Sequence, residues 1–289
     1  MGVTVSAVVP TLGRSPWLPP CLEALRREGV EIIVVDQGET PVELPAGLAD
    51  RVLRPGRNLG FAGGTNLGIA TASADLVATV NDDALVEPGW MAALSAALES
   101  DPRIGAAQGV TLLMDDPARA DGCGITWNRW WQAVQVGHGK PAPAVSEPVR
   151  EIFGVSATVA LFRRSALQAV AVDGHVFDPR LISYYEDVEL AVRLRAGGWR
   201  SLMVPAARAR HAGSATGGTM SRERWRLIYG NRWLAAARFL GGGFWPRLPW
   251  MLLRDVLDLA RAAGRGDGAR VSGIAAGWAR AIHELPGFR

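Results

Sequence analysis

Along the first hundred residues, short apolar runs alternate with segments of helical period. Residues 3–9, 31–35, 51–54 and 76–80 are rich in Val, Ile and Leu and read as strands. Between them, 18–27 reads as a helix behind the loop Ser15-Pro16-Trp17. A glycine-rich loop at 58–66 opens into a helix ending near Ala72, and 88–98 reads as a third helix. This alternation predicts a parallel α/β sheet. Polar residues stand at the strand ends: Pro10 and Thr11, Asp36, and Asn81-Asp82-Asp83. Ligands of such sheets sit outside the carboxyl ends of the strands, so one edge gathers the candidate chemistry.

Further on, 106–113, 152–162 and 199–204 read as strands and 165–170 as a short helix. The stretch Tyr184-Tyr185-Glu186-Asp187-Val188-Glu189-Leu190 follows a turn at Phe177-Asp178-Pro179-Arg180 and heads a helix over 188–195. That helix stops at Gly197-Gly198, where a residue free to take positive φ is expected. Its carboxylates have a bland reading, since acidic residues in a first turn complement the helix dipole. Trp127, Trp130 and Trp131 cluster in a region of Gly and Pro. They read as lining for an acceptor cleft, as core packing or as a dimer contact. Past Thr216 the pattern turns helical over 223–240, 249–263 and 271–283, with glycine breaks at 241–243 and 264–268.

The composition, 48% hydrophobic and 20% charged over 289 residues, is that of a folded protein with one large α/β domain and an appendage. A net charge of +3, with arginine in excess toward the C-terminus, is too mild to argue for nucleic acid. Cys21 and Cys123 lie far apart without metal-type spacing, which fits a reducing compartment. The start, Met1-Gly2-Val3-Thr4-Val5, has no basic region and apolar run, and no stretch is long and apolar enough to span a bilayer. A cytoplasmic location is expected. The tail mixes Trp225, Trp233, Phe244, Trp245 and Trp250 with many arginines. It reads as an interfacial helix pair on an anionic membrane, as cover for the sheet, or as a homodimer contact.

Asn81-Asp82-Asp83 follows a buried-type strand, and its carboxylates suit a hard divalent cation such as Mg²⁺ or Mn²⁺. Magnesium bridges protein carboxylates and substrate phosphates, and the glycine-rich loop makes a diphosphate a natural ligand. The loop is neither a Walker A motif nor a dinucleotide fingerprint after the first strand. Asp36 is a candidate partner for a nucleobase or ribose, and His211 for a metal or a proton. Each has a plain alternative as a turn, cap or packing residue.

Together these residues resemble the family 2 glycosyltransferases of the inverting GT-A type, most of all the branch with bacterial rhamnosyl- and galactofuranosyltransferases. The matching positions are Val8-Val9-Pro10-Thr11 with Arg14, Val34-Val35-Asp36, the stretch 58–68, Asn81-Asp82-Asp83, Phe177-Asp178-Pro179-Arg180, the stretch 184–190 with Arg193, Gly198-Trp199, and His211 before Gly213-Ser214. The resemblance implies a GT-A domain over 1–215, with a nucleotide-sugar half at 1–100 and an acceptor half at 101–215, and a helical region at 216–289. It implies that Pro10, Thr11, Arg14, Asp36, Asn58, Gly60, Asn66, Asn81 and Asp82 bind the nucleotide and donor. Asp83 and His211 would hold a divalent metal. Asp187 would be the general base, and Glu186 would support it or bind the acceptor, while Glu189 keeps the helix-cap reading. Ala157 would stand where many relatives have a glycine beside the sugar. The implied reaction moves a sugar from a dTDP or UDP donor, rhamnose or a hexose, to a glycan, lipid-linked or small-molecule acceptor. A nucleotidyltransferase and a catalytically silent nucleotide-sugar module are the competing readings.

Overall fold

Strands covered on both faces carry near-continuous apolar runs, and three of the predicted strands do so here apart from a few polar positions such as Ser6 and Thr79. β1 (Val5–Thr11) and β4 (Leu76–Val80) are buried throughout, and β2 (Glu31–Asp36) at all but its first residue. The computed structural model describes residues 4–213 and 220–288. With β3 (Arg51–Leu53), these strands form a parallel run ordered β4-β1-β2-β3. Helices α1 (Leu18–Arg27), α2 (Gly60–Thr71) and α3 (Trp90–Glu99) fill the crossovers.

The second half extends the sheet with mixed pairing. β6 (Ile104–Leu113), β11 (Val159–Arg163) and β12 (Arg200–His211) give the order β12-β6-β11-β4, with β11 antiparallel to both neighbours and β12 parallel to β6. β10 (Arg150–Ile152) and β5 (Ala84–Val86) pair with β12, and β7 (Ala120–Gly122) with β6. A separate hairpin joins β8 (Ile125–Trp127) to β9 (Ala133–Gln135). Short α4 (Arg164–Ala169) and then α5 (Glu186–Ala196) complete this half. The sequence places one strand at 152–162. The structure divides it, because 153–158 leave the sheet and turn Ser156, Ala157 and Thr158 toward a cavity.

The glycine-rich stretch is helix rather than loop. A Cβ on Gly68 would stand 2.3 Å from Val8 Cγ1, and one on Gly64 2.4 Å from Gln37 Nε2. These glycines let α2 press against the sheet; they do not lay bare backbone for a ligand. The positive φ expected after α5 falls on Gly198 (φ +80°).

The tail folds as α6 (Arg222–Leu240), α7 (Phe244–Gly264) and α8 (Gly268–Glu284). The boundary read at 215/216, and Ser214, lie outside the described residues. No described helix is long and apolar enough to cross a membrane. Cys21 and Cys123 are buried free thiols. Arg232 on α6 is the tail's anchor. It is fully buried and pairs with Asp255 of α7, and it donates to the carbonyls of Trp130 (2.6 Å) and Trp131 (3.0 Å). Asp255 also accepts from the indole nitrogens of Trp233 and Trp278, each at 3.0 Å. Removing one partner of a buried pair strands the other. Arg232→Met is therefore expected to cost about 3–5 kcal/mol, read as a lower urea midpoint at unchanged slope.

Candidate active site

Two cavities open along the carboxyl edge of the sheet, of about 640 and 510 Å³. They share Phe61, Asn81, Ser183 and Tyr184 as a common wall. The larger is lined by Pro10, Thr11, Arg14, Asn58, Gly60, Asp82 and Asp83. The smaller is lined by Glu186 and Asp187 from the head of α5, Ser156 to Thr158, and Ile125 and Ala133 to Gln135 of the hairpin.

In the larger cavity, β1 and β4 deliver their polar ends side by side. Thr11 Oγ1 donates to Asp82 Oδ2 at 2.5 Å, and Ser15 Oγ to the Asp82 carbonyl at 3.2 Å. Burial raises the Asp82 carboxyl above the usual range, against the pull of the Thr11 hydrogen bond. Asn58 Oδ1 accepts from the Gly60 amide at 2.8 Å and closes the turn into α2. Arg14 is exposed at the rim and carries no ion pair among the described residues.

Asp83 meets His211 at the end of β12, with Nε2 3.1 Å from Asp83 Oδ1. On the other side of the ring, Nδ1 lies 2.8 Å from Asp121 Oδ2. Burial would lower the imidazole pKa, but the two carboxylates prevail and raise it to about 9. No group of three or more His, Cys, Asp or Glu stands in a metal-ligating arrangement among the described residues.

Two expected nucleotide residues lie elsewhere. Asp36 is buried and spent on its own turn: its carboxylate accepts from the amides of Gly38 (3.0 Å) and Val42 (2.9 Å) and pairs with Arg54 at 3.1 Å. Its neighbour Gln37 lines the cavity instead. Asn66 is a clamp on Phe177. Its Nδ2 donates to the Phe177 carbonyl at 2.7 Å and its Oδ1 accepts from the Phe177 amide at 2.9 Å, which leaves it outside the cavity wall. Both positions satisfy backbone groups that would otherwise be buried without partners.

The smaller cavity is built by a strained segment. Ile182, Tyr184 and Tyr185 have φ of 63°, 70° and 69°, a region costly for a β-branched residue. Three contacts hold it. Ala62 N donates to the Ile182 carbonyl at 2.9 Å. Gly60 comes so near that a Cβ there would be 2.6 Å from that oxygen. Asn231 of α6, fully buried, shares its Nδ2 among the carbonyls of Leu181 (2.7 Å), Ser183 (2.9 Å) and Tyr184 (2.7 Å). The segment ends at Glu186 and Asp187.

Asp187 accepts from the amides of Val188 (2.8 Å) and, weakly, Ala157 (3.4 Å). Burial raises its pKa against those hydrogen bonds. Burial and the Asp187 charge raise that of Glu186 further. On this wall, Glu186 Oε2 and Gln135 Oε1 are buried with no hydrogen-bond partner among the described residues. Buried polar groups are normally paired, which makes these two oxygens candidates for a ligand's hydrogen bonds. Glu189 is not a solvated cap. It is fully buried and joins α5 to α6 by pairing with Arg193 at 2.7 Å and with Arg238. The tryptophans do not line the cavity. Trp127 and Trp131 pack against Phe239 of α6, and Trp130 stacks on Trp250 of α7 at 4.3 Å.

Several wall residues escape a reading of the sequence. Glu223, Arg224 and Leu227 of α6 line the larger cavity and Ile228 the smaller. The helical tail therefore forms part of both walls. Glu223 is paired with Arg226, whereas Arg224 has no ion pair among the described residues. No local motif marks these positions, nor Asp121 behind His211.

Solved structures of low identity share the fold. GalNAc-T7 with UDP, GalNAc and Mn²⁺ superposes at a TM-score of 0.61 with 16% identity, over 81% of this chain and 50% of that one. A mannosyltransferase from Pyrobaculum calidifontis in complex with GDP-Man and Mn²⁺ gives 0.56 and 16%, over 97% and 87%. Uncharacterized proteins of Mycobacterium bovis and Mycobacterium tuberculosis are 35% identical over 95 residues. That stretch is 32% of this chain and spans only 35% of those relatives' length. An uncharacterized protein of Sinorhizobium fredii is 26% identical over 235 residues, 74% of this chain and 25% of its own. The fold is thus GT-A, and the model of the family described as "Glycosyl transferase family 2" matches residues 6–170, more than half of the chain: the protein belongs to that family.

Proposed function

We propose that the protein moves a glycosyl group, with inversion, from a nucleoside diphosphate sugar to an acceptor hydroxyl. The observation that carries this reading is the shared wall of the two cavities. Asn81 and Tyr184 stand between a carboxylate–imidazole pair on one side and the Glu186–Asp187 pair on the other. A direct displacement needs that division: charge neutralised at the leaving diphosphate, a base at the incoming hydroxyl.

The donor lies in the larger cavity. Pro10, Thr11, Asn58 and Gln37 face the nucleoside, and Arg14 and Arg224, two lining cations with no ion pair among the described residues, meet the diphosphate. Asp82 keeps Thr11 in place, and Asn81 faces the donor sugar. Asp83 and His211 fit a divalent ion. A hard oxygen and an imidazole side by side would hold such an ion. With an ion on Nε2, Asp121 would accept from Nδ1–H, the arrangement that orients ligating histidines. Such an ion supplies Lewis-acid stabilisation of negative charge on the leaving diphosphate. Mn²⁺ accompanies the nucleotide in the two solved relatives.

The acceptor lies in the smaller cavity, where the unpaired oxygens of Glu186 and Gln135 await hydroxyl donors. Asp187 takes the proton of the attacking hydroxyl, and its raised pKa brings it nearer to that of a useful base. The donor is a dTDP- or UDP-sugar, rhamnose or a hexose, and the acceptor a cell-surface glycan, its lipid-linked precursor or a natural product. Thermal-shift titration tests the donor site. UDP or dTDP with Mn²⁺ is expected to raise Tm, by about 2.7 kcal/mol of stabilisation at a hundredfold excess over Kd. CTP or a free sugar is expected to leave Tm unchanged. No shift with either diphosphate would reject the assignment.

A further inference from the structure

The outward face of α7 is apolar from end to end. Trp245, Trp250, Leu253, Val256 and Leu257 are between 39% and 52% exposed. At helical spacing they share one side with Pro246, Pro249 and Ala260, and no charged residue interrupts them. The acidic residues of α7, Asp255 and Asp258, are buried on the opposite side. Arg247, Arg254 and Arg261 recur every seven residues and so line one flank. Arg254 and Arg261 both lean on the single Asp258, so that flank stays positive. Beyond it, Trp130 stacks on Trp250 at 4.3 Å with the Arg129 guanidinium 5.1 Å from its ring. Residues 216–289 hold twelve arginines and five acidic residues, in a chain whose net charge is only +3.

We propose that α7 lies in the plane of an anionic lipid bilayer and docks the protein there through this face. Tryptophan at both the first and second turns, an apolar strip and an arginine edge are what an interfacial helix requires: apolar area for the acyl boundary and cations for the headgroups. The charge pattern selects the bilayer over a second copy of the chain. A second copy offers only the same strip and arginine edge, with no acidic residue on the strip to meet the arginines. The aromatic run adds direction. From Trp250 and Trp130 it continues through Trp131, Phe239 and Trp127 to Tyr185, with ring centroids 5.8–6.1 Å apart in the last three steps. Tyr185 lines the smaller cavity. The docked face is thereby continuous with the side on which the acceptor is read to enter.

Vesicle flotation of the full chain tests this. The protein should float with equimolar phosphatidylcholine and phosphatidylglycerol, weakly with phosphatidylcholine alone, and less as salt rises. Leu253→Glu with Leu257→Glu should cut partitioning at least about tenfold. Arg247→Gln with Arg261→Gln should cut it about fivefold per residue on anionic vesicles only. Both pairs are on the surface, and far-UV dichroism and the unfolding midpoint should match wild type. Absence of wild-type flotation, equal flotation with both lipids, or wild-type flotation by both variants would overturn the proposal. So would a wild-type dimer, seen by sedimentation velocity, that the glutamate pair dissolves.

Discussion

Asp187→Asn loses glycosyl transfer by about 10²–10⁴-fold, the range a positioned general base contributes, and keeps nucleotide affinity. The substitution is nearly isosteric. The amide oxygen can still accept from Val188 N–H, so the turn that heads α5 persists. It also removes a carboxyl whose pKa is raised chiefly by burial. A group raised in the folded state contributes stability below its unfolded pKa and loses it as pH climbs through the folded one. At neutral pH the neutral variant should therefore unfold at an equal or higher temperature than wild type. Loss of function with gain of stability separates a base from a structural carboxyl. In wild type the same shift makes transfer fall as pH drops through the raised pKa, an acid limb set above that of an ordinary Asp. Parallel loss of Tm and nucleotide affinity in Asp187→Asn would show a structural role instead.

Asp83→Ala should act on the other half of the site. Asp83 lines the larger cavity and meets the imidazole of His211 behind it, with Nε2 3.1 Å from Oδ1. Outer partners of metal ligands alone are worth about 10–100-fold, so removing Asp83 itself should weaken Mn²⁺-dependent UDP or dTDP binding by at least about a hundredfold. Affinity without the ion should change little, because Arg14, Arg224 and Asn58 remain. Isothermal titration with and without Mn²⁺ reads both numbers. Equal loss in the two series would place Asp83 in nucleotide contact and not in ion binding.

Much of the sheet was legible because buried parallel strands write themselves as near-continuous apolar runs: 31–35 and 76–80 are strands where the pattern put them. The cavity edge was legible for the same reason, since a polar residue closing such a run emerges at the strand end, as Thr11 and Asp82 do. The failures share a cause. Glycine signals closeness without naming what comes close: at Gly68 the neighbour is the sheet and at Gly64 the Gln37 side chain. Asp36 and Asn66 signal a hydrogen bond without naming the donor, and in both the partner is backbone. Glu189 has the spacing of a surface pair with Arg193, yet Arg238 from fifty residues on seals it inside. The contribution of α6 was invisible because long-range contact decides it: Asn231 grips the 181–184 segment, and Arg224 reaches the donor wall, across the region between β12 and α6.

The central claim is a single displacement across the wall between the two cavities. Proton NMR of the sugar first released, in reactions of UDP- and dTDP-sugars with Mn²⁺ with or without added acceptor, tests it most directly. Single displacement gives nucleoside diphosphate release and, from an α-linked donor, a β product before mutarotation, both lost in Asp187→Asn. Retained configuration, or turnover by Asp187→Asn at the wild-type rate, would contradict it.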